Sequence, residues 1–88
     1  MTTTMDLLEK ALTKHPAPYW HKALGLSRNA LHNAKLRGHM SPAITGAIAE
    51  QLEGEDVDEW IVRAALESEK DSACKERMLK RLRSRDKP

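Results

Sequence analysis

Tyr19–Gly38, YWHKALGLSRNALHNAKLRG, is the stretch whose reading decides the fold. It reads as two short helices joined by a tight turn. Tyr19 to Leu24 forms the first. Gly25 then supplies the positive φ that a sharp reversal needs, having no Cβ to clash. Leu26 follows as an apolar plug, and Ser27 is a good N-cap for a second helix over Arg28 to Leu36. In that helix Leu31 and Ala34 point inward, while Asn29, His32 and Asn33 fall on the opposite side at helical spacing. Gly38 closes it.

Outward from this pair, every segment that can be placed reads as helix. Thr4 caps a first helix whose apolar positions Met5, Leu8, Ala11 and Leu12 share a stripe. Asp6 and Glu9 suit its N-terminus, and Lys10 and Lys14 its C-terminus. Pro16 and Pro18 end it, because residues ahead of proline are pushed from the α region. Tyr19 and Trp20 either pack against the first or fifth helix, or place Tyr19, with Lys22, on a partner's phosphate. Ser41-Pro42 starts a fourth helix, a hydroxyl cap followed by proline at the first helical position, running to about Leu52. Gly46 inside it marks the close passage of another helix. Gly54 ends it, and Asp56 with Glu59 forms a capping box for a fifth helix from Val57 to about Ser68. That helix buries Val57, Trp60, Ile61, Ala64 and Ala65, with Trp60 at the centre of the core. Nothing reads as a strand. The expected architecture is all-α: a five-helix domain over residues 1–70, then a basic extension over residues 71–88. Cys74, Met78 and Leu82, four apart, draw a narrow apolar stripe on that extension. It can prolong helix five into a dimerisation helix, lie as a basic arm along DNA, or remain a frayed end. Disorder is expected for residues 1–3 and after Arg83.

Composition bounds the class. Eighty-eight residues make one small domain, and with no Phe, one Tyr and two Trp its core must come from Leu, Ile, Ala and Met. Such a core is marginal alone, so dimerisation would help it. The single cysteine, Cys74, rules out an intramolecular disulfide and fits a reducing compartment. No run resembles a signal peptide or approaches a membrane span, so a cytoplasmic protein is expected.

Charge is sharply segregated. Between Lys10 and Ala49 stand six basic residues (Lys10, Lys14, Lys22, Arg28, Lys35, Arg37) and no acid, with all four histidines in the same interval. From Gly54 to Lys70 six acids face only Arg63 and Lys70, and from Asp71 onward seven basic residues stand against three acids. The positive part coincides with the helix pair, as a polyanion partner requires.

Ala23, Leu24, Gly25, Leu26, Ser27, Leu31 and Gly38 make this pair resemble the helix-turn-helix of the Cro/C1-type (XRE-like) phage repressor family, over about residues 4–70. Two positions depart from that pattern. His21 stands where the family usually has a small residue, and Ala34 where a larger apolar one is common. The resemblance implies a lambda-repressor-like fold and a sequence-specific DNA-binding regulator, a dimeric repressor on a pseudo-palindromic operator in double-stranded DNA. Arg28, Asn29, His32 and Asn33 are then the base-reading set, since Arg can fork onto guanine and Asn can pair bidentately with adenine. Lys22, Ser27, Lys35, Arg37, His39 and Ser41 would hold phosphates, with Gly38 offering its backbone.

No enzymatic chemistry is legible. There is no glycine-rich phosphate loop and no nucleophile motif. The histidine spacings of six, eleven and seven match no compact zinc pattern, so no metal, cofactor or small-molecule effector is expected. Two other classes stay open: a protein-interaction module that binds host RNA polymerase or another regulator, and an antitoxin-type DNA-binding partner. In the first, Tyr19, Trp20 or the tail stripe would be the contact surface; in the second, the basic tail is the segment that would hold a toxin.

Overall fold

The computed structural model describes residues 3–85, and the expectations for Met1, Thr2 and residues 86–88 lie outside it. Six helices and no strand are found among the described residues: α1 (Thr4–Lys14), α2 (Ala17–Leu24), α3 (Ala30–Arg37), α4 (Pro42–Gln51), α5 (Val57–Glu67) and α6 (Ala73–Arg85). The all-α class is therefore correct. The basic extension is itself the sixth helix; it does not continue α5, and it remains helical at Ser84 and Arg85.

The start of α1 sits one residue earlier than expected. Thr3 is the cap, accepting the Asp6 N–H at 3.3 Å while its own N–H donates to the Asp6 carboxylate at 2.8 Å. Thr3 has an acid three residues on and Thr4 has Leu7, so only Thr3 can close this reciprocal pair. Thr4 is instead buried in the first turn. Its hydroxyl donates to Glu67 Oε1 at 2.5 Å and accepts the Met40 N–H at 3.1 Å, while its N–H donates to Glu67 Oε2 at 2.9 Å. One side chain thus ties α1 to the end of α5 and to the approach to α4. With Thr4 satisfied inside, the buried stripe becomes Thr4, Leu7, Leu8 and Ala11, and Met5 and Leu12 are only half-buried.

Trp20, not Trp60, is the centre of the core. Trp20 is 0% exposed against 7% for Trp60. Its indole N–H donates to the carbonyls of Ala11 at 2.9 Å and His15 at 3.2 Å, locking α2 across the C-terminal end of α1. Around it close Leu7, Leu8, Ala11, Leu31, Ala34, Met40, Ile48 and Ala49. Tyr19, its neighbour, is half out in solvent, stacked on His15 with ring centroids 3.9 Å apart and donating to Gln51 Oε1 at 3.0 Å. The pair thus follows the packing alternative for Trp20, with Tyr19 left at the rim.

The most extensive helix pair is α4 on α5. Ser41 caps α4 by accepting the Ile44 N–H, and Pro42 occupies its first turn. Gly46 lies where α5 passes close. A Cβ built there would stand 2.9 Å from Ile61 Cγ1 and 3.1 Å from Ile61 Cδ1. Gly46→Ala should therefore destabilise by about 1 kcal/mol, the overpacking cost outweighing alanine's better helix propensity. In an Ile61→Ala background the same change should stabilise. A double-mutant cycle in urea that gave no coupling between positions 46 and 61 would refute this account.

Asp56 caps α5 by accepting the Glu59 N–H at 3.1 Å. The return half of the expected box is absent, because Glu59 turns instead to Arg63, 3.6 Å away. The buried face of α5 is Trp60, Arg63 and Ala64, while Ile61 and Ala65 are exposed. Arg63 lies over the Trp60 ring, 5.3 Å from its centroid, with its aliphatic stem covered. A hydrophobic pattern cannot foresee a guanidinium used this way.

Helix α6 reverses and runs back antiparallel along α5. Leu66 lies near Cys74 and Met78 at one end of the seam, and Val62 near Leu82 at the other. Lys75 makes the reversal. Its ammonium donates to the carbonyls of Glu67 at 3.2 Å and Glu69 at 2.7 Å, and reaches Asp71 Oδ1 at 3.4 Å. It thereby satisfies carbonyls that the end of α5 leaves open.

Candidate nucleic-acid interface

The geometry of the candidate site begins at the turn. Gly25 takes φ +67° and Leu26 N–H donates to His21 O at 2.8 Å, closing the end of α2. Leu26 then packs against the core from the turn, as expected of a plug. Beyond it the structure departs from the sequence reading. Ser27 gives no side-chain cap; its carbonyl accepts the Ala30 N–H at 3.1 Å in a turn. Helix α3 begins only at Ala30, with Asn29 as its N-cap residue. Two residues that expectation put inside the helix, Arg28 and Asn29, therefore stand on the turn ahead of it. The reason is local: a turn over 27–30 leaves the Asn29 carbonyl to accept the first helical bond, from Asn33 N–H at 2.8 Å.

Inside α3, Leu31 and Ala34 are buried as the spacing predicts. The opposite face presents His32, Asn33 and, three to four residues on, Leu36. Leu36 is 74% exposed, the most exposed of the large apolar side chains. Nothing in the apolar pattern marks it as outward, because a leucine near a helix end reads by default as core. It joins the candidate set here.

Lys22, Ser27, Arg28, Asn29, His32, Asn33, Lys35 and Arg37 are all exposed. None of the four cations in that group forms an ion pair among the described residues. Gly38 takes φ +84° and ends α3 as foreseen. His39 and Ser41 are half-buried. The Ser41 oxygen serves the α4 cap, leaving only its O–H for an outside acceptor. The Nδ1 of His39 is buried with no partner, so an outward contact falls to its other ring nitrogen. His21, half-buried on α2, carries an Nε2 that is buried without a partner.

The charge map needs one correction. Lys10, counted with the basic interval, is taken by Glu55 at 2.5 Å. Partial burial pushes the Glu55 carboxyl up, but hydrogen bonds from Lys10 and the Trp60 indole, with the charge of Lys10, outweigh it and hold the group below its ordinary value. A depressed folded-state value contributes stability that is present above the unfolded value and lost as pH falls through the folded one. The stability gap between the native chain and Glu55→Gln should therefore be largest near neutrality and shrink in acid. Parallel urea melts from neutral pH to below the ordinary carboxylate range would show it, and a gap independent of pH would contradict it.

Elsewhere on the surface, a cleft of about 520 Å³ opens between α1, α2 and the end of α4, floored by Trp20 and Leu52. Of its polar lining, Lys10 is engaged by Glu55, Tyr19 by Gln51 and His15 by the Tyr19 ring, with Lys14 and Glu53 at its edge. No group of three or more His, Cys, Asp or Glu that could hold a metal occurs among the described residues. No described helix is long and apolar enough to cross a membrane. Comparison with family models, with curated proteins and with solved structures gave no match.

Proposed function

We propose that this chain is a helix-turn-helix, sequence-specific DNA-binding transcriptional regulator, a Cro-like phage or prophage repressor that acts in the cytoplasm as a dimer on a pseudo-palindromic operator. One observation carries the reading. The exposed stretch Lys22–Arg37 carries four cations without an ion pair among the described residues, two amides and no carboxylate, with Arg28 and Asn29 at the N-terminal end of α3 and Lys35 and Arg37 in its last turn. Such a surface attracts phosphate by charge and by the helix dipole, and it reads bases by hydrogen-bond pattern.

In this mechanism α3 enters the major groove N-terminal end first. Arg28 and Asn29 reach base edges from the turn, and His32 and Asn33 from the first turns of the helix. Leu36 lies further along the same face and suits a thymine methyl. Lys22, Ser27, Lys35, Arg37, His39 and Ser41 hold the backbone on either side, fixing register without reading sequence. Repression follows from occupying a promoter.

The test is selection of bound fragments from a random duplex pool at low salt, with sequencing of the survivors. An enriched inverted repeat, with half-sites about one helical turn apart, is expected. Affinity for it should fall steeply with salt, with a log–log slope on the order of −5 to −7 if the three to four cations of each copy, about six to eight in the dimer, displace counterions. Enrichment without a motif would reduce the surface to a charge-driven binder, and no enrichment would remove DNA as the partner.

A further inference from the structure

The seam between α5 and α6 is the feature that DNA binding leaves unexplained. Asp58, Val62 and Leu66 recur on one stripe of α5, with Glu69 just beyond its end, and Cys74, Met78 and Leu82 on one stripe of α6. Where the stripes meet they leave two shallow grooves of about 240 and 270 Å³, one lined by Leu66, Cys74 and Met78 and the other by Val62 and Leu82. Val62 remains 50% exposed and Met78 40%, although both belong to helices already packed together. A small domain gains nothing from apolar side chains half left in water along a continuous line.

The charges beside this line are arranged in complementary halves. Asp56, Asp58 and Glu69 edge the grooves on the α5 side. Arg77 and Arg81 flank Met78 on α6, both exposed and with no ion pair among the described residues. In a two-fold interface each copy offers the same patch, so whatever α6 presents to α5 of its neighbour is returned. A hairpin that is acidic on one helix and basic on the other, with an apolar line between, is complementary to itself. DNA would meet the carboxylates at the groove edges, which disfavours the seam as a second phosphate-binding surface.

We propose that the α5–α6 seam is the self-association surface of this protein, with a second copy of the chain laid across it so that Met78 of each enters the groove beside Val62 and Leu66 of the other. The proposal locates the dimer invoked in the functional reading above. It uses a different part of the surface from the DNA reading, because α3 packs on α2 and α6 packs on α5.

Sedimentation velocity of the full chain over a concentration series, without DNA, tests it. The native chain should show a monomer–dimer equilibrium. A chain reversed on α6 (Arg77→Glu with Arg81→Glu) and a chain reversed on α5 (Asp58→Lys) should each dimerise at least about tenfold more weakly, through like charges set opposite one another. Mixed in equal amounts they should recover the dimer, since both contacts of the two-fold are then opposite in charge. Misfolded chains could not do this, and circular dichroism of each alone checks the fold. A native chain that stays monomeric throughout, or a mixture that associates no better than its components, would overturn the proposal. Because no DNA is present, either result leaves the DNA selection to stand or fall separately.

Discussion

Replacing Trp20 by alanine should cost about 3–5 kcal/mol, the largest loss expected of any single substitution in the core. A domain of this size holds only about 4–13 kcal/mol in total, at the usual 0.05–0.15 kcal/mol per residue, so the variant should be partly or wholly unfolded at ordinary temperature. The size of the effect comes from position. Trp20 is fully buried where α1 and α2 meet, and its indole N–H serves two carbonyls at the end of α1. Removing the ring leaves a cavity under the turn that aims α3, and it strips those carbonyls of a donor. Trp20→Phe separates the two contributions, because it keeps most of the apolar volume and loses only the N–H, for about 1–2 kcal/mol. Trp60→Ala should cost less than Trp20→Ala, since Trp60 lies at the edge, with its N–H on the half-buried Glu55. Urea melts of the three variants by circular dichroism would rank them. A Trp60→Ala chain less stable than Trp20→Ala would return the centre of the core to α5.

What the chain announces locally, it announces well. Gly25 and Gly38 both take the left-handed conformation that ends a helix, Ser41-Pro42 and Asp56 both start one, and Gly46 does mark a close helix crossing. These features depend on a residue and its near neighbours. Several misplacements depend on a partner distant in sequence. Thr4 looked like a cap because its hydroxyl had no other visible use; its use is Glu67, 63 residues on. Lys10 looked like part of a basic surface until Glu55, 45 residues away, claimed it. Arg63 entered the sequence reading only as a charge, which says nothing of its stem, and α6 had three possible fates because Lys75 acts only once α5 has ended beside it. Among the proposed site residues, exposure and spacing were legible for His32 and Asn33. The displacement of Arg28 and Asn29 onto the turn was not, since Ser27 has every property of a cap and is simply bypassed.

That displacement shapes the prediction on which the functional reading depends. Arg28→Ala and Asn33→Ala should each weaken binding to the selected operator by about 1–3 kcal/mol, roughly 5- to 150-fold, and change binding to random duplex little. The two should differ in character. Asn33 is held by α3, whose register is fixed by buried Leu31 and Ala34, so its contact is aimed and its loss should relax preference at a single base pair. Arg28 stands on the turn, with a long side chain and no partner among the described residues, and can meet either a guanine edge or a phosphate. Its salt dependence decides which. If Arg28→Ala lowers the salt slope by about one and weakens operator and random DNA alike, Arg28 neutralises a phosphate. If the slope changes little and discrimination falls, it reads a base. Lys35→Ala serves as the reference for a pure phosphate contact. Should Asn33→Ala, too, weaken both DNAs equally, the face of α3 reads no sequence and the regulator reading loses its basis, whatever the charge of the surface.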